Sequence, residues 1–245
     1  MSSVFLINHL DFARSFEGCP EKATPETIAA WLKSNWLKKR GGGSWNYVPA
    51  MDVLVLAFMG GITLQESLQY CRKYWHPRGR LENELVVQSF WRFAQENRSR
   101  VYKRSFLAAP IGRWQGRNIF LGIRAPLIRV TGDELLAVMP VFRKAFVPNV
   151  AETNLSMTAV REFCLREGYP DINIELMRAV GIDGSLERRL VVERGSERQM
   201  YSSEDFDTFA AKFAGAVALL ADAGLGLQQP NFKGYRVWDP DQTRF

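Results

Sequence analysis

His76 stands beside two guanidinium groups in the run Trp75-His76-Pro77-Arg78-Gly79-Arg80. RNA cleavage without a metal needs a general base at the 2′-hydroxyl and cations on the scissile phosphate, and this trio has both chemistries. A solvent-facing His among arginines also serves as a plain contact residue, so His76 is a candidate catalytic group and no more. His9 lies in an apolar segment and reads as structural. Pro170-Asp171 with Val192-Glu193-Arg194 loosely follows the spacing of a metal-dependent nuclease core, but Gly195 stands where an assisting Lys belongs. Cys19, Cys71 and Cys164 form no CxxC pair, so with two histidines a zinc site is not expected. No phosphate-binding P-loop, GxSxG elbow or dinucleotide fingerprint is present, and no cofactor or metal is expected.

The stronger chemistry is phosphate binding. From Arg72 to Arg129 there are thirteen basic side chains, eleven of them Arg, against Glu82, Glu84 and Glu96. Like charge at that density repels itself, and a polyanion relieves the repulsion while releasing its condensed counterions. A guanidinium fork binds phosphate oxygens two at a time and stacks on bases. The candidate nucleic-acid contacts are Arg72, Lys73, Arg78, Arg80, Arg92, Arg98, Arg100, Lys103, Arg104, Arg113 and Arg117. Tyr70, Tyr74, Trp75, Phe90, Trp91, Phe93, Tyr102, Phe106, Trp114 and Phe120 are interleaved with them as stacking platforms, although most rings of this kind belong to a core. Charge is uneven along the chain. Residues 1–150 carry 21 Lys and Arg against 11 Asp and Glu, net +10, and residues 151–245 carry 11 against 15, net −4.

The elements that position these groups follow from periodicity and caps. A strand is expected over Val4–Phe12, then a helix opened by Thr24-Pro25-Glu26 and closed by Lys38-Lys39-Arg40 before Gly41-Gly42-Gly43-Ser44, a natural loop or an engineered linker. Residues 50–97 read as helices: Met51–Met59, a break at Gly60-Gly61, a second opened by the Thr63/Glu66 capping box, and a third over Leu81–Asn97, with 75–80 as a loop. Strands are expected over Tyr102–Ala108 and over Asn118–Val130 with a break at Pro126. Thr131-Gly132-Asp133-Glu134 reads as another capping box, opening a helix with Leu135, Val138, Met139, Phe142 and Phe146 on one side and a kink at Pro140. Then come a helix over Met157–Glu167, a strand pair turning at Asp183-Gly184, a helix opened by Ser202-Ser203-Glu204-Asp205, and a closing strand at Tyr235–Trp238.

From Asn118 onward the order is strand, helix, strand, strand, helix, strand, which predicts an α+β, ferredoxin-like antiparallel sheet of the kind used in RNA recognition, with a mainly helical insertion near the N-terminus. Three regions result: 1–44, an N-terminal strand and helix; 45–100, a basic helical region; and 101–245, the ferredoxin-like domain. Between the last helix and strand lies Ala223-Gly224-Leu225-Gly226-Leu227, followed by Gly234-Tyr235-Arg236-Val237-Trp238. This resembles the glycine-rich loop of the repeat-associated RAMP superfamily of CRISPR proteins, with Arg236 where that family often has a further Gly. The resemblance implies that Gly224, Gly226, Lys233 and Gly234 lie against guide RNA, the glycines admitting backbone close to phosphate. It also implies a ribonucleoprotein subunit working with other protein subunits. An endoribonuclease that processes guide RNA through His76 is the enzymatic alternative. A third pattern, Ala57, Gly61, Ile62 and Thr63, has helix-turn-helix spacing, with Gln65, Gln69, Arg72 and Lys73 on the helix that would meet duplex DNA. A plain antiparallel helix pair explains the same residues. An assembly protein pairing the basic half of one copy with the acidic half of another is the fourth reading.

The longest apolar run, residues 53–62, falls well short of the ~20 residues that span a bilayer, and Met-Ser-Ser-Val-Phe-Leu-Ile-Asn-His lacks the basic and long apolar regions of a signal peptide. The sequence therefore predicts a cytoplasmic protein whose partner is nucleic acid, RNA in preference to DNA, and not a membrane.

Overall fold

The computed structural model describes residues 3–38, 46–143 and 147–238. The Gly41–Ser44 run, the helix end at Lys39-Arg40 and Phe146 lie outside the described residues. In chain order the elements are β1 (Leu6–Asn8), α1 (His9–Arg14), α2 (Pro25–Trp31) running into a π-helical stretch at Leu32–Leu37, α3 (Val48–Met59), α4 (Leu64–Arg72) and α5 (Pro77–Glu96). Then follow β2 (Arg100–Lys103), β3 (Phe106–Trp114), β4 (Arg117–Ile123), β5 (Leu127–Thr131), β6 (Glu134–Val141), α6 (Val150–Arg166), β7 (Asn173–Gly181), β8 (Arg188–Arg194), α7 (Ser203–Asp222) and β9 (Tyr235–Val237).

Side-chain caps set many of these boundaries. Asn8 Oδ1 accepts the Leu10 and Asp11 amides, so the expected first strand turns into α1 after three residues. Gly60 ends α3 at φ 69°, and Thr63 with Glu66 forms the capping box of α4. His76 accepts the Gly79 amide through Nδ1, so 75–80 is not a free loop but the cap and first turn of α5. Ser202 and Asp205 cap α7 reciprocally.

The helix expected after Thr131 is absent. Gly132, at φ 59°, lies in a tight turn with Asp133, and Thr131 pairs with Glu134 as the last rung between β5 and β6. Residues 134–141 are almost continuously apolar because the strand is buried on both faces, a pattern that period alone does not distinguish from a buried helix. Pro140 lies past Val138, the last residue with a β5 partner, where its missing N–H costs no ladder bond on that side.

Two sheets result, ordered β1-β4-β3-β9 (sheet A) and β2-β5-β6-β7-β8 (sheet B). The protein is α+β, but the strand order departs from the ferredoxin-like expectation. β6 and β7 are parallel immediate neighbours, with no strand splitting them, and β9 closes sheet A beside β3. Sheet B is therefore mixed, and its two faces serve two cores. Ile128, Ala137, Met139, Ile174 and Leu176 join the larger core with α1, α2, α6, α7 and the inner face of sheet A. Leu127, Val138, Met177 and Ala179 join the second core with α3 and α5, including Phe58, Val86 and Phe90. The helical part of the 45–100 region is thus seated on sheet B. No helix among the described residues is long and apolar enough to cross a membrane.

Candidate nucleic-acid interface

The central arginines do not form one surface. α5 spans 20 residues, roughly 30 Å at the α-helical rise, and separates Arg72, Lys73, Arg78 and Arg80 at one end from Arg98 and Arg100 at the other. Arg113, Arg117 and Arg124 belong to a third group on sheet A. Several positions are neutralised. Arg72 pairs with Glu84 at 3.3 Å, Arg92 with Glu96 at 2.7 Å, Lys103 with Asp52 at 2.7 Å, and Arg104 with Glu167. Arg129, counted in the basic tract, is not at the surface at all. It is fully buried, bidentate to the equally buried Glu175 at 2.8 and 2.5 Å, and stacked 5.0 Å from the Phe58 ring centroid. Among the described residues, no carboxylate pairs with Lys73, Arg78, Arg80, Arg98, Arg100, Arg113, Arg117 or Arg124.

Sheet A gathers part of what the sequence scattered. Leu107, Ala109, Leu121 and Ile123 point into the larger core. Strand alternation therefore turns Phe106, Ala108 and Pro110 of β3, Phe120 and Gly122 of β4, and Tyr235 of β9 to the opposite face. Phe106 and Tyr235 are cross-strand partners with ring centroids 5.5 Å apart. Arg124 donates through Nε to the Tyr235 hydroxyl at 2.8 Å, and its guanidinium lies 5.8 Å from the Phe106 ring and 5.9 Å from the Tyr235 ring. Phe232, in the segment leading to β9, meets Phe120 edge-on at 5.1 Å. Arg113 and Lys233 are exposed nearby in sequence on β3 and before β9, and Arg113 is held by Asn118 at 2.9 Å. Gly122 is needed here, since a Cβ would sit 2.8 Å from the Tyr235 ring. Sequence reading missed Arg124, Tyr235 and Phe232 as site residues; the parity of β3 and β4 was the signal that groups Arg124 with Phe106.

The glycine-rich segment has local tasks. Gly224, at φ 72°, follows the C-cap of α7, where its N–H bonds Ala221 O and the Leu225 N–H bonds Leu220 O, a Schellman closure. Gly226 packs against the chain's own N-terminal segment: the Val4 N–H bonds Gly226 O at 3.0 Å, and a Cβ would lie 2.4 Å from Val4 Cγ1. Gly234, at φ 83°, lies in the turn closed by the Tyr235 N–H to Phe232 O bond at 2.8 Å. Arg117 binds Leu227 O at 3.3 Å and stacks 3.8 Å from the Phe5 ring centroid, so it braces this loop.

No protein-family model matches this chain, and no curated protein matches it significantly.

The other candidate sites are simpler. His76 spends Nδ1 on the α5 cap and sets its ring edge-on to Trp75 at 5.1 Å. Glu193, of the nuclease-like spacing, is held by Arg178 and by Arg198 at 2.8 Å. No cluster of three or more His, Cys, Asp or Glu suited to a metal occurs among the described residues. In the helix-turn-helix candidate, Gln65, Gln69, Arg72 and Lys73 are exposed on α4, while Ser67 is buried with its hydroxyl donating to Thr63 O at 2.7 Å. Ser67 thus replaces the usual aliphatic by satisfying its own polar group.

Proposed function

We propose that this protein binds single-stranded nucleic acid, RNA in preference to DNA, across the outward face of sheet A. One observation carries the reading: Arg124 lies against both Phe106 and Tyr235, which touch each other, with the Phe120/Phe232 pair on the same face. These rings are half-buried, base stacking on such rings is worth ~1–3 kcal/mol per base, and Arg113, Arg124 and Lys233 offer charge to the backbone. The preference for RNA, and the further step to a subunit of a CRISPR-type ribonucleoprotein with other protein subunits, rest on the glycine-rich resemblance alone. The ferredoxin-like sheet forms no part of the support.

Filter binding to a single-stranded oligonucleotide tests this. Replacing Arg113, Arg124 and Lys233 with Ala should weaken affinity and flatten the dependence of log affinity on log salt by about 0.7 per lost contact. Binding unchanged by that triple substitution, or no binding by the parent protein, overturns the reading. Cleavage of the bound RNA that disappears in His76→Ala with affinity kept would assign the endoribonuclease role instead.

A second reading is supported by the exposed row Gln65, Gln69, Arg72 and Lys73 on α4 behind the Gly60 turn: a helix-turn-helix meeting duplex DNA. Sequence-specific duplex binding lost in Gln65→Ala/Gln69→Ala would favour it.

A further inference from the structure

β8 is a seven-residue edge strand, Arg188-Arg189-Leu190-Val191-Val192-Glu193-Arg194, paired among the described residues only with β7. The opposite edge, β2, is four residues long and carries Arg100 and Lys103, which discourage self-association. β8 has an apolar centre instead, and Leu190, Val191 and Val192 are only half-buried.

The hydrogen-bond parity of the edge is fixed. The Ile182 N–H bonds Glu187 O across the hairpin, so by alternation Arg189, Val191 and Glu193 exchange their bonds with β7. Arg188, Leu190, Val192 and Arg194 therefore direct N–H and C=O groups to the open side. Their side chains face α5: Arg188 reaches Glu82 of α5, and Leu190 and Val192 border a groove with Gln88, Ser89 and Phe93.

We infer that β8 pairs with β8 of a second copy of this chain, antiparallel, about a two-fold axis through Val191. In that register Leu190 of each copy opposes Val192 of the other as a bonded pair, which satisfies the free edge groups. Val191 meets its own symmetry mate in a non-bonded pair, about 4.5 Å between Cα atoms. Arg189, which pairs with no carboxylate among the described residues, opposes Glu193 of the second copy, twice; Glu193 keeps Arg178 and Arg198 of its own chain, so Arg189 joins that ion cluster. Arg188 and Arg194 also oppose each other, but each already has a carboxylate of its own, Glu82 for the first and Glu134 and Glu175 for the second. Sliding the register by two residues destroys this complementarity: centred on Leu190, Glu193 opposes Glu187, and centred on Val192, it opposes Val191. Backbone parity, apolar match and charge match thus select one pairing. The inference is independent of nucleic-acid binding.

Sedimentation across a concentration series, with circular dichroism as the folding control, reads it out. The parent protein should be a dimer, and Arg189→Glu should weaken dimerisation at least tenfold. Mixing Arg189→Glu with Glu193→Arg restores opposite charges at both contacts and should restore a heterodimer. Because Glu193→Arg also removes the intrachain partners of Arg178 and Arg198, a second variant makes the test independent of it. Val191→Cys, with the exposed Cys19 changed to Ser, should form a covalent dimer on mild oxidation, since non-bonded antiparallel Cα spacing suits a disulfide. A monomer at every soluble concentration, a dimer indifferent to Arg189→Glu, or no cross-link through Cys at 191 overturns the inference.

Discussion

Arg129 and Glu175 form an ion pair wholly enclosed between sheet B and the α3/α5 layer. Their bidentate bond, the Thr131 hydroxyl at 2.7 Å and the ring of Phe58 compensate two charges taken out of water. Arg129→Met alone should cost about 3–5 kcal/mol in urea unfolding, because it leaves the buried Glu175 with only Arg194 at 3.9 Å, and the double substitution with Glu175→Leu should recover most of that loss. His9 carries the opposite lesson. Burial pushes its imidazole down to about 4, and Arg124 acts in the same direction. Nδ1 lies 3.2 Å from the Arg124 amide, and Nε2 is buried without a partner. The unfolded chain binds a proton at His9 below about pH 6.5 while the folded chain refuses it, so stability falls as pH drops from 6.5 to 4. The contribution lost is about 3 kcal/mol, and urea midpoints measured across that window should show it, with a flatter profile in His9→Gln. The sequence reads His9 as part of an apolar strand; it is buried, as the first residue of α1. It counted Arg129 as surface charge because a basic tract conceals which of its members a strand turns inward.

At the scale of elements, what was legible had a chemical marker. Thr63/Glu66, Ser202/Asp205 and the Asp183-Gly184 turn each appear where local hydrogen bonding demands them. β6 was not legible, because a strand covered on both faces loses the alternation that distinguishes it. The glycine-rich segment was legible as a turn, but its partner was not. Gly224 and Gly226 answer to the closure of α7 and to Val4. Gly226→Ala should therefore lower stability by about 1–3 kcal/mol in thermal unfolding, through both φ and overlap, and Gly224→Ala by about 1 kcal/mol. Under the proposed binding across sheet A, neither should change the salt slope beyond its effect on folded fraction; a slope that flattened in folded Gly224→Ala would place phosphate at that loop instead.

For the whole molecule, the decisive feature is that one sheet walls two cores. Residues alternate along β5, β6 and β7 between them, so neither core can lose its floor without exposing the other. Thermal unfolding followed by near-ultraviolet circular dichroism and by far-ultraviolet signal should coincide in one transition; separate midpoints would show the helical layer leaving first. The helices of the expected 45–100 region lie as a layer on sheet B. That outcome could not be read from residues 45–100 themselves, since the part of their core contributed by sheet B comes from strands as far along the chain as Met177 and Ala179.

Sheet A is laced from both directions along the chain: β1 lies parallel on β4, β9 lies parallel on β3, and Val4 is bonded to Gly226. A nascent polypeptide on the ribosome therefore holds β3 with one flank bare until residue 237 has emerged. From the completion of β3 until then, the rim that will receive Tyr235 presents unpaired N–H and C=O groups to whatever strand it meets.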